Sequence, residues 1–513
     1  MSSSCALNWR GIACSTAVIS LSVILGIQPA RAQLDDAVRP YIQEEESPGL
    51  VDTQIVVASQ ELQRLSATVD DNPALNTDAK TNDAEAAATS SSSAAATVAA
   101  PTSPNSPAAA AELSNADGPK NDAPHPQDTA QTTSQQAPPK PYLDIYGFAQ
   151  ADVGYDFKVV DPDWFDVVRP TKFPSVPGEF GRNGNTYFSV RQTRFGVKGF
   201  HPTPWGDMKV QFEFDMFGVG VDAGQTTIRP RTYYGEIGAF GAGQTHSPFM
   251  DIDVFPNIFE YWGPNGMVFF RNVQVRWMPI RGDTRLTLAL ERPGASADAG
   301  VIANRIEVQN VRARFKWPDV SGEFRYGGKR GYIKTSAIVR NFKLDDQLPD
   351  QFNLDQNITA WGVTVSSNVK VRKDTLRLQY VYGEGVENYM NDAPVDVAPE
   401  LNPGHPTQPV KGKALPVQSW VAFLDHAWSE HFSSSIGYSQ LRISNSNLQN
   451  ANDFHMGRYA IVNIMDSPFE NFLYGVELQW GNRTNFRNTF QPHDFRIQFS
   501  FKYSFNFRIL GKS

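Results

Sequence analysis

Thirteen residues near the end of the chain, "FRIQFSFKYSFNF", alternate without a break. Phe495, Ile497, Phe499, Phe501, Tyr503, Phe505 and Phe507 hold one parity, and Arg496, Gln498, Ser500, Lys502, Ser504 and Asn506 hold the other. Successive side chains of a strand point to opposite faces, so period two predicts a β-strand with one apolar and one polar face. A single such strand fits the half-buried sheet of a soluble sandwich. The same texture recurs through much of the chain, however. Leu143, Ile145, Ala149, Ala151, Val153 and Tyr155 oppose Asp144, Tyr146, Gln150, Asp152 and Asp156. Val210, Phe212, Phe214 and Met216 oppose Lys209, Gln211, Glu213 and Asp215. "TRLTLALE", "GYIKTSAIV", "AWGVTVSSNVKV", "TLRLQYVY" and "YGVELQWG" repeat the pattern. Core strands of a sandwich seldom carry ionisable groups at every second position, whereas a lipid-facing parity around a polar lumen explains both faces.

The connectors alternate in length. "PIRGD", "GGKRG", "VRKD" and "SEH" are short, while "DPDWFDVVRPTKFPSVPGEFGRNGN" and the stretch from Asn388 to Gln418 are long. Tight turns at one end and long loops at the other are the plan of a transmembrane barrel, and hydrocarbon tolerates no open sheet edge. Residues 142–513 are therefore predicted to be all-β, a transmembrane antiparallel barrel of about 16 strands at roughly 9 to 11 residues per strand. The region from Arg305 to Tyr326 is the least regular. A barrel of this size encloses a water-filled channel.

What precedes the barrel differs in kind. Arg10 leads into "GIACSTAVISLSVILGI", and "PARAQ" offers Ala30-Arg31-Ala32 as a small-x-small cleavage site. Residues 1–32 are thus expected to be a secretory signal peptide, with an uncleaved anchor as the alternative. Both cysteines, Cys5 and Cys14, fall inside it, so no disulfide is expected in the mature chain. Within residues 33–70, Ile55, Ala58, Leu62, Leu65 and Val69 alternate spacings of three and four after Asp52 as N-cap. This short helix reads equally as a brief coiled coil or a simple amphipathic helix. Residues 71–141, rich in Ala, Ser, Thr and Pro, lack the apolar surface to fold and are expected to be a disordered linker. The mature chain would hold 44 basic and 54 acidic residues, net −10, which argues against a nucleic-acid binder.

A pore needs a width and a field rather than a catalytic group. Parity places Arg276, Arg285, Arg325, Arg340 and Arg496 on the lumen side, and the surrounding stretches add Arg191, Arg194, Arg229, Arg231 and Arg271. Pro230 cannot donate to a ladder and suggests a bulge, and the opposite parities of Arg191 and Arg194 put one of them elsewhere unless the strand bulges there too. Rings of arginine favour anions. Equally, these residues are candidates for pairing with Asp144, Asp152, Glu213, Asp215 and Glu477 to brace the wall. The loop after the fifth strand, roughly 247–267, is in the position to fold inward as a constriction carrying Asp251, Asp253 and Glu260. Acidic residues in the outer loops would account for the acidic total. Asp251 and Asp253 alone lack the further ligands of a calcium site, and no metal or cofactor is expected. The histidines, His426 and His431 included, are scattered with nothing marking a nucleophile beside them, so no enzyme is expected.

Several stretches resemble the DcaP-like outer-membrane porins of Gram-negative bacteria: "SVRQTRFGVKG", "VQFEFDMFG", "AGQTHSPFMD", "YWGPNGMVFFRNVQVRW", "DHAWSEHFSSSIGYS" and "GVELQWGNRTN". The resemblance implies a homotrimer of 16-stranded barrels in outer-membrane lipid, delivered by the outer-membrane assembly machinery. It also implies an N-terminal coiled coil in the periplasm and passive uptake of small dicarboxylate-type anions. The chain departs from that pattern in its short helix, its long linker and its ending, "RILGKS", beyond Phe507. A phosphate-selective or general diffusion porin, and a structural tether to the cell wall, are the competing expectations.

Overall fold

A computed structural model describes residues 140–511; the expected signal peptide, short helix and nearly all of the linker lie outside the described residues. Sixteen antiparallel strands follow one another around a closed wall. The first half comprises β1 (Tyr142–Asp156), β2 (two pieces, Asn185–Ser189 and Arg194–Thr203), β3 (Gly206–Phe217), β4 (Thr226–Ile237), β5 (Phe240–His246), β6 (Arg271–Ile280), β7 (Arg285–Glu291) and β8 (two pieces, Val311–Arg314 and Asp319–Gly328). The second half comprises β9 (Gly331–Asp346), β10 (Gln356–Val371), β11 (Asp374–Glu384), β12 (Pro416–Ala427), β13 (Phe432–Ile443), β14 (Phe454–Asp466), β15 (Phe472–Asn485) and β16 (His493–Leu510). β16 pairs with β1 from Tyr142↔Leu510 to Asp156↔Arg496, which leaves no sheet edge in lipid. A hairpin of Val397–Leu401 with Val410–Ala414 forms a separate ladder that is not part of the wall sheet, and Val397 packs on Phe342, Ile358 and Ala360.

The alternation of residues 495–507 belongs to the lipid face of this closing strand: Phe499 is 47% exposed and the neighbouring Gln498 is 0% exposed. No helix among the described residues is long and apolar enough to cross a membrane; the strands do the crossing. Turns of two to five residues join strands at one end and longer connections join them at the other, as the connector lengths predict. Three long-end loops dominate: L1 (157–184), L3 (247–270) and L6 (385–415).

The irregular places have local causes. β2 leaves the ladder over 190–193, so Arg191 and Arg194 are both buried despite their opposite parity. In β4 the partners of Glu213 and Phe214 are Thr232 and Pro230, so Arg231 is the extra residue of a bulge beside the proline. The irregular stretch from Arg305 is a short helix, Ile306–Gln309, followed by a strand broken at 315–318, whose two pieces both pair with β9.

One expectation about the lumen is overturned. The inward parity is not polar all round, because Ile338 of β9, Val381 of β11, Val417, Val421 and Phe423 of β12, Leu441 and Ile443 of β13 and Ile461 of β14 are buried and apolar. These residues face loops rather than water. Phe249, Val254, Ile258, Trp262, Met267 and Phe269 of L3 belong to the same cluster, together with Trp164, Val168 and Phe173 of L1 and Val386, Tyr389 and Met390 of L6. The loops thus form a second apolar core inside the barrel, opposite a charged half of the wall.

Candidate functional site

L3 is held along its length by specific acceptors and donors. Descending from β5, it places Asp251 under the Tyr332 hydroxyl of β9, which donates to it at 2.9 Å, and beside the Ser366 hydroxyl of β10. Its tip reaches toward the short turns, where Asp253 pairs with Arg325 of β8 and the Asp253 carbonyl accepts from Asn368 and Arg377. On the return limb, the Phe259 and Glu260 amides donate to the buried Glu477 of β15 at 2.9 and 2.8 Å. Glu260 accepts from the amides of Val168, Trp262 and Gly263 and from the Tyr459 hydroxyl at 2.6 to 3.0 Å. Burial nevertheless pushes the Glu260 carboxyl above its ordinary range. Two of the three loop carboxylates are therefore anchors: Asp251 and Glu260 are buried, and Asp253 alone keeps a half-exposed side chain.

The ten arginines separate by what they touch. Arg229 and Arg231 share Asp215, Arg231 also binds Glu213 at 2.6 Å, and the Tyr261 hydroxyl of L3 closes the cluster. Arg194 lies 3.8 Å from Glu213. Arg191 pairs with Asp166 of L1 at 2.6 Å and lies over the Phe217 ring. Arg340 bridges Asp319 and Asp396, joining β9 to β8 and L6. Arg496 pairs with Asp156 across the barrel seam and donates to the Phe165 carbonyl at 2.8 Å. Arg271 is buried where L3 rejoins the wall. The first six of these brace the wall and its loops.

The other three of the ten are half-buried on the inward parity of their strands, nearer the short turns. Arg285 pairs with Glu323 at 3.0 Å, and Arg325 pairs with Asp253 while lying over the Tyr332 ring. Arg276 differs. Its Nε and Nη2 donate to Gln274 at 3.1 and 2.8 Å, Nη2 also donates to the His246 carbonyl, and the group lies 5.1 Å over Tyr234. No carboxylate pairs with it among the described residues, and its Nη1 makes no hydrogen bond there. The parity that assigns Arg340 also assigns Lys334 and Arg377 to the lumen, where Lys334 pairs with Glu323 and Arg377 with Asp425. No periodicity marks Arg169 of L1 or Asp392 of L6, whose 2.9 Å pair ties the loops together.

The acidic total does not sit in the outer loops. Residues 33–139 hold 16 acidic and 4 basic residues, net −12, whereas residues 140–511 hold 38 acidic and 39 basic, net +1. The barrel is nearly neutral overall, and its internal arginines are matched mostly by internal carboxylates.

A closed sixteen-stranded wall with a lipid-facing apolar parity, short turns at one end and an inward third loop defines an outer-membrane channel of the porin type. The family model for the DcaP outer membrane protein matches residues 126–505, and the chain belongs to that family. Among solved structures, the outer membrane channel DcaP of Acinetobacter baumannii has TM-score 0.59 at 19% identity, over 71% of this chain and 98% of that one. OmpT of Vibrio cholerae lacking loop L8 gives 0.44 at 11% identity, over 72% of this chain and 100% of that one. An anion-selective porin from Comamonas acidovorans gives 0.46 at 9% identity, over 71% and 100%. At 19% identity the likeness to the DcaP channel is one of fold alone. No curated protein sequence is significantly similar to the chain. The relatives are channels, not enzymes.

Proposed function

We propose that this chain is an anion-preferring diffusion channel whose cargo is small dicarboxylate-type solutes. Arg276 is the observation that carries the preference. A guanidinium paired directly with a carboxylate contributes little net field, whereas Arg276 makes no ion pair and only the buried Glu291 on the next strand opposes its charge from a distance. In a low-dielectric wall such a charge raises the local anion concentration, and its free donor suits a carboxylate oxygen. The dicarboxylate class and the homotrimer rest on resemblance to the family. The short-turn end, where β1 begins, faces the periplasm in this reading, with residues 33–139 on that side and the assembly machinery as partner during insertion. A signal peptide at residues 1–32 belongs to the same proposal.

Liposome swelling tests the cargo. Proteoliposomes are expected to admit a four-carbon dicarboxylate at least several-fold faster than a neutral polyol of similar mass. Equal rates would leave a general diffusion channel, and preference for inorganic phosphate over the dicarboxylate would favour the phosphate-selective alternative.

A further inference from the structure

The turns at the short end are not electrically uniform. Three consecutive turns and their flanks, β6–β7, β8–β9 and β10–β11, expose Arg281, Lys329, Arg330, Lys370, Arg372 and Lys373. The only acids beside them are Asp283 and Asp374, and Asp374 is engaged by His426 at 2.6 Å. The next two turns around the rim carry the opposite sign, with Glu430 and Glu470. No ion pair involves any of the six basic residues among the described residues. Arg372 takes φ 57°, a left-handed conformation in which Cβ crowds the backbone of any residue but glycine. A glycine or asparagine would adopt it more readily, so this two-residue turn holds a charge at a conformational cost.

The arc continues inward. Arg325 and Arg377 lie four residues along their strands from Lys329 and Lys373, or about 13 Å at roughly 3.3 Å per strand residue, while Arg285 faces Arg281 across the β6–β7 turn and is level with Arg325. Their carboxylate partners Glu323, which also takes Lys334, Asp253 and Asp425 offset most of that inner tier, while the rim tier keeps a net positive charge. The channel therefore has a cationic mouth on one side of one end, followed by a nearly neutral tier and then Arg276.

We propose that this rim is the outer tier of the channel's selectivity filter, concentrating small anions at the short-turn mouth before they meet Arg276. The inference rests on the anion-preferring reading of the lumen but makes a separate claim, that selectivity depends on which bath touches the short-turn end. The Debye length is about 30 Å at roughly 0.01 M salt and about 3 Å at roughly 1 M, so the rim acts when the dilute bath faces it and is screened when the concentrated bath does.

The full-length protein is placed in a zwitterionic planar bilayer, and reversal potentials are measured with the potassium chloride gradient in both directions. Orientation is assigned with Lys373→Cys and a membrane-impermeant thiol reagent added to one bath, the unsubstituted protein serving as control for Cys5 and Cys14. The anion-to-cation permeability ratio is expected to be several-fold higher with the dilute bath at the short-turn end. Replacing Lys329, Arg330, Arg372 and Lys373 by Gln is expected to remove that difference. Arg372→Gly, which keeps the left-handed turn, is expected to reduce it. An equal ratio in both directions for the unsubstituted protein, or a directional difference that survives all these changes, overturns the proposal. Cation preference in both directions would instead overturn the underlying reading of the lumen.

Discussion

The Arg169 guanidinium lies 4.0 Å from the centre of the Trp262 ring and 4.2 Å from that of Trp164. Arg169 comes from L1 and Trp262 from L3, and Asp392 of L6 accepts from Arg169 Nε at 2.9 Å and from the Thr171 amide at 3.0 Å. Trp262 is further fixed by Asn391, whose carbonyl accepts from Nε1 at 2.8 Å. One buried cation thus joins three loops. Burial lowers the Arg169 pKa, opposed by Asp392, so the charge is kept by its partner.

Asp392→Ala leaves that cation buried without its carboxylate. Breaking one side of a buried pair costs on the order of 3–5 kcal/mol, and here the loss falls on loop docking rather than on the barrel ladder. Single-channel recording is expected to show larger and noisier conductance, with strand content by circular dichroism unchanged. Unaltered conductance would show that the three loops do not depend on this junction.

Gly266→Val tests how L3 is seated. A Cβ at Gly266 would meet the Gln440 carbonyl at 2.7 Å and the Trp420 carbonyl at 3.0 Å, both backbone atoms of the wall. The Gly266 amide also donates to Ser439 Oγ at 2.8 Å, and its carbonyl accepts from Ser419 Oγ at 2.6 Å. The return limb is expected to lift, raising conductance and exposing L3 to limited proteolysis. Ser439→Ala removes two hydrogen bonds, from the Gly266 amide and to Asn265 Oδ1, without a clash and is expected to have a smaller effect.

Glu387 of L6 gives a pH dependence with a definite sign. It is 1% exposed, and Asp396 adds repulsion that the Glu387 and Val386 amides and Arg340 only partly offset. Burial holds its pKa well above the ordinary carboxylate value. A raised native pKa means that the folded state binds more protons, so the stability it favours is complete below the ordinary carboxylate pKa and is lost as pH rises through the raised value. Melting temperature is expected to fall from mildly acidic toward alkaline pH, and Glu387→Gln is expected to flatten that slope. A slope identical in the variant would assign the dependence to other groups.

Arg231 and Arg276 are expected to behave differently although both face inward. Arg231→Ala strips Glu213 and Asp215 of a shared partner inside a buried cluster, and its main effect should be a lower melting temperature by several degrees. Arg276→Ala removes no ion pair and should leave melting nearly unchanged. Thermal scans of the two variants separate a bracing role from a field-setting one.

The strand wall was legible wherever one parity met lipid. Phe495 to Phe507, Val210 to Met216 and Leu286 to Leu290 alternate because hydrocarbon excludes polar groups from every second position. Legibility failed where the inner parity is also apolar. In "VQSWVAFLD", Val417, Val421 and Phe423 face loops while Trp420 and Leu424 face lipid, so period two is blurred by a second dry neighbour. Pro230 signalled the bulge at Arg231 because its missing N–H breaks the ladder. The partners of Arg169 and Arg340 were not legible, since Asp392 and Asp396 lie 223 and 56 positions away along the chain. Parity finds which side chains enter a lumen; pairing there depends on loops that obey no period.

The most direct measurement is the reversal potential of the purified protein under a potassium chloride gradient from about 0.1 M to about 1 M, where long-range fields are screened within about 10 Å, with Arg276→Ala beside it. Anion selectivity that falls toward unity in the variant, at unchanged melting temperature, is the expected result. Cation selectivity in the parent protein, or anion selectivity indifferent to Arg276, would contradict the assignment of this arginine as the charge that sets the channel's preference.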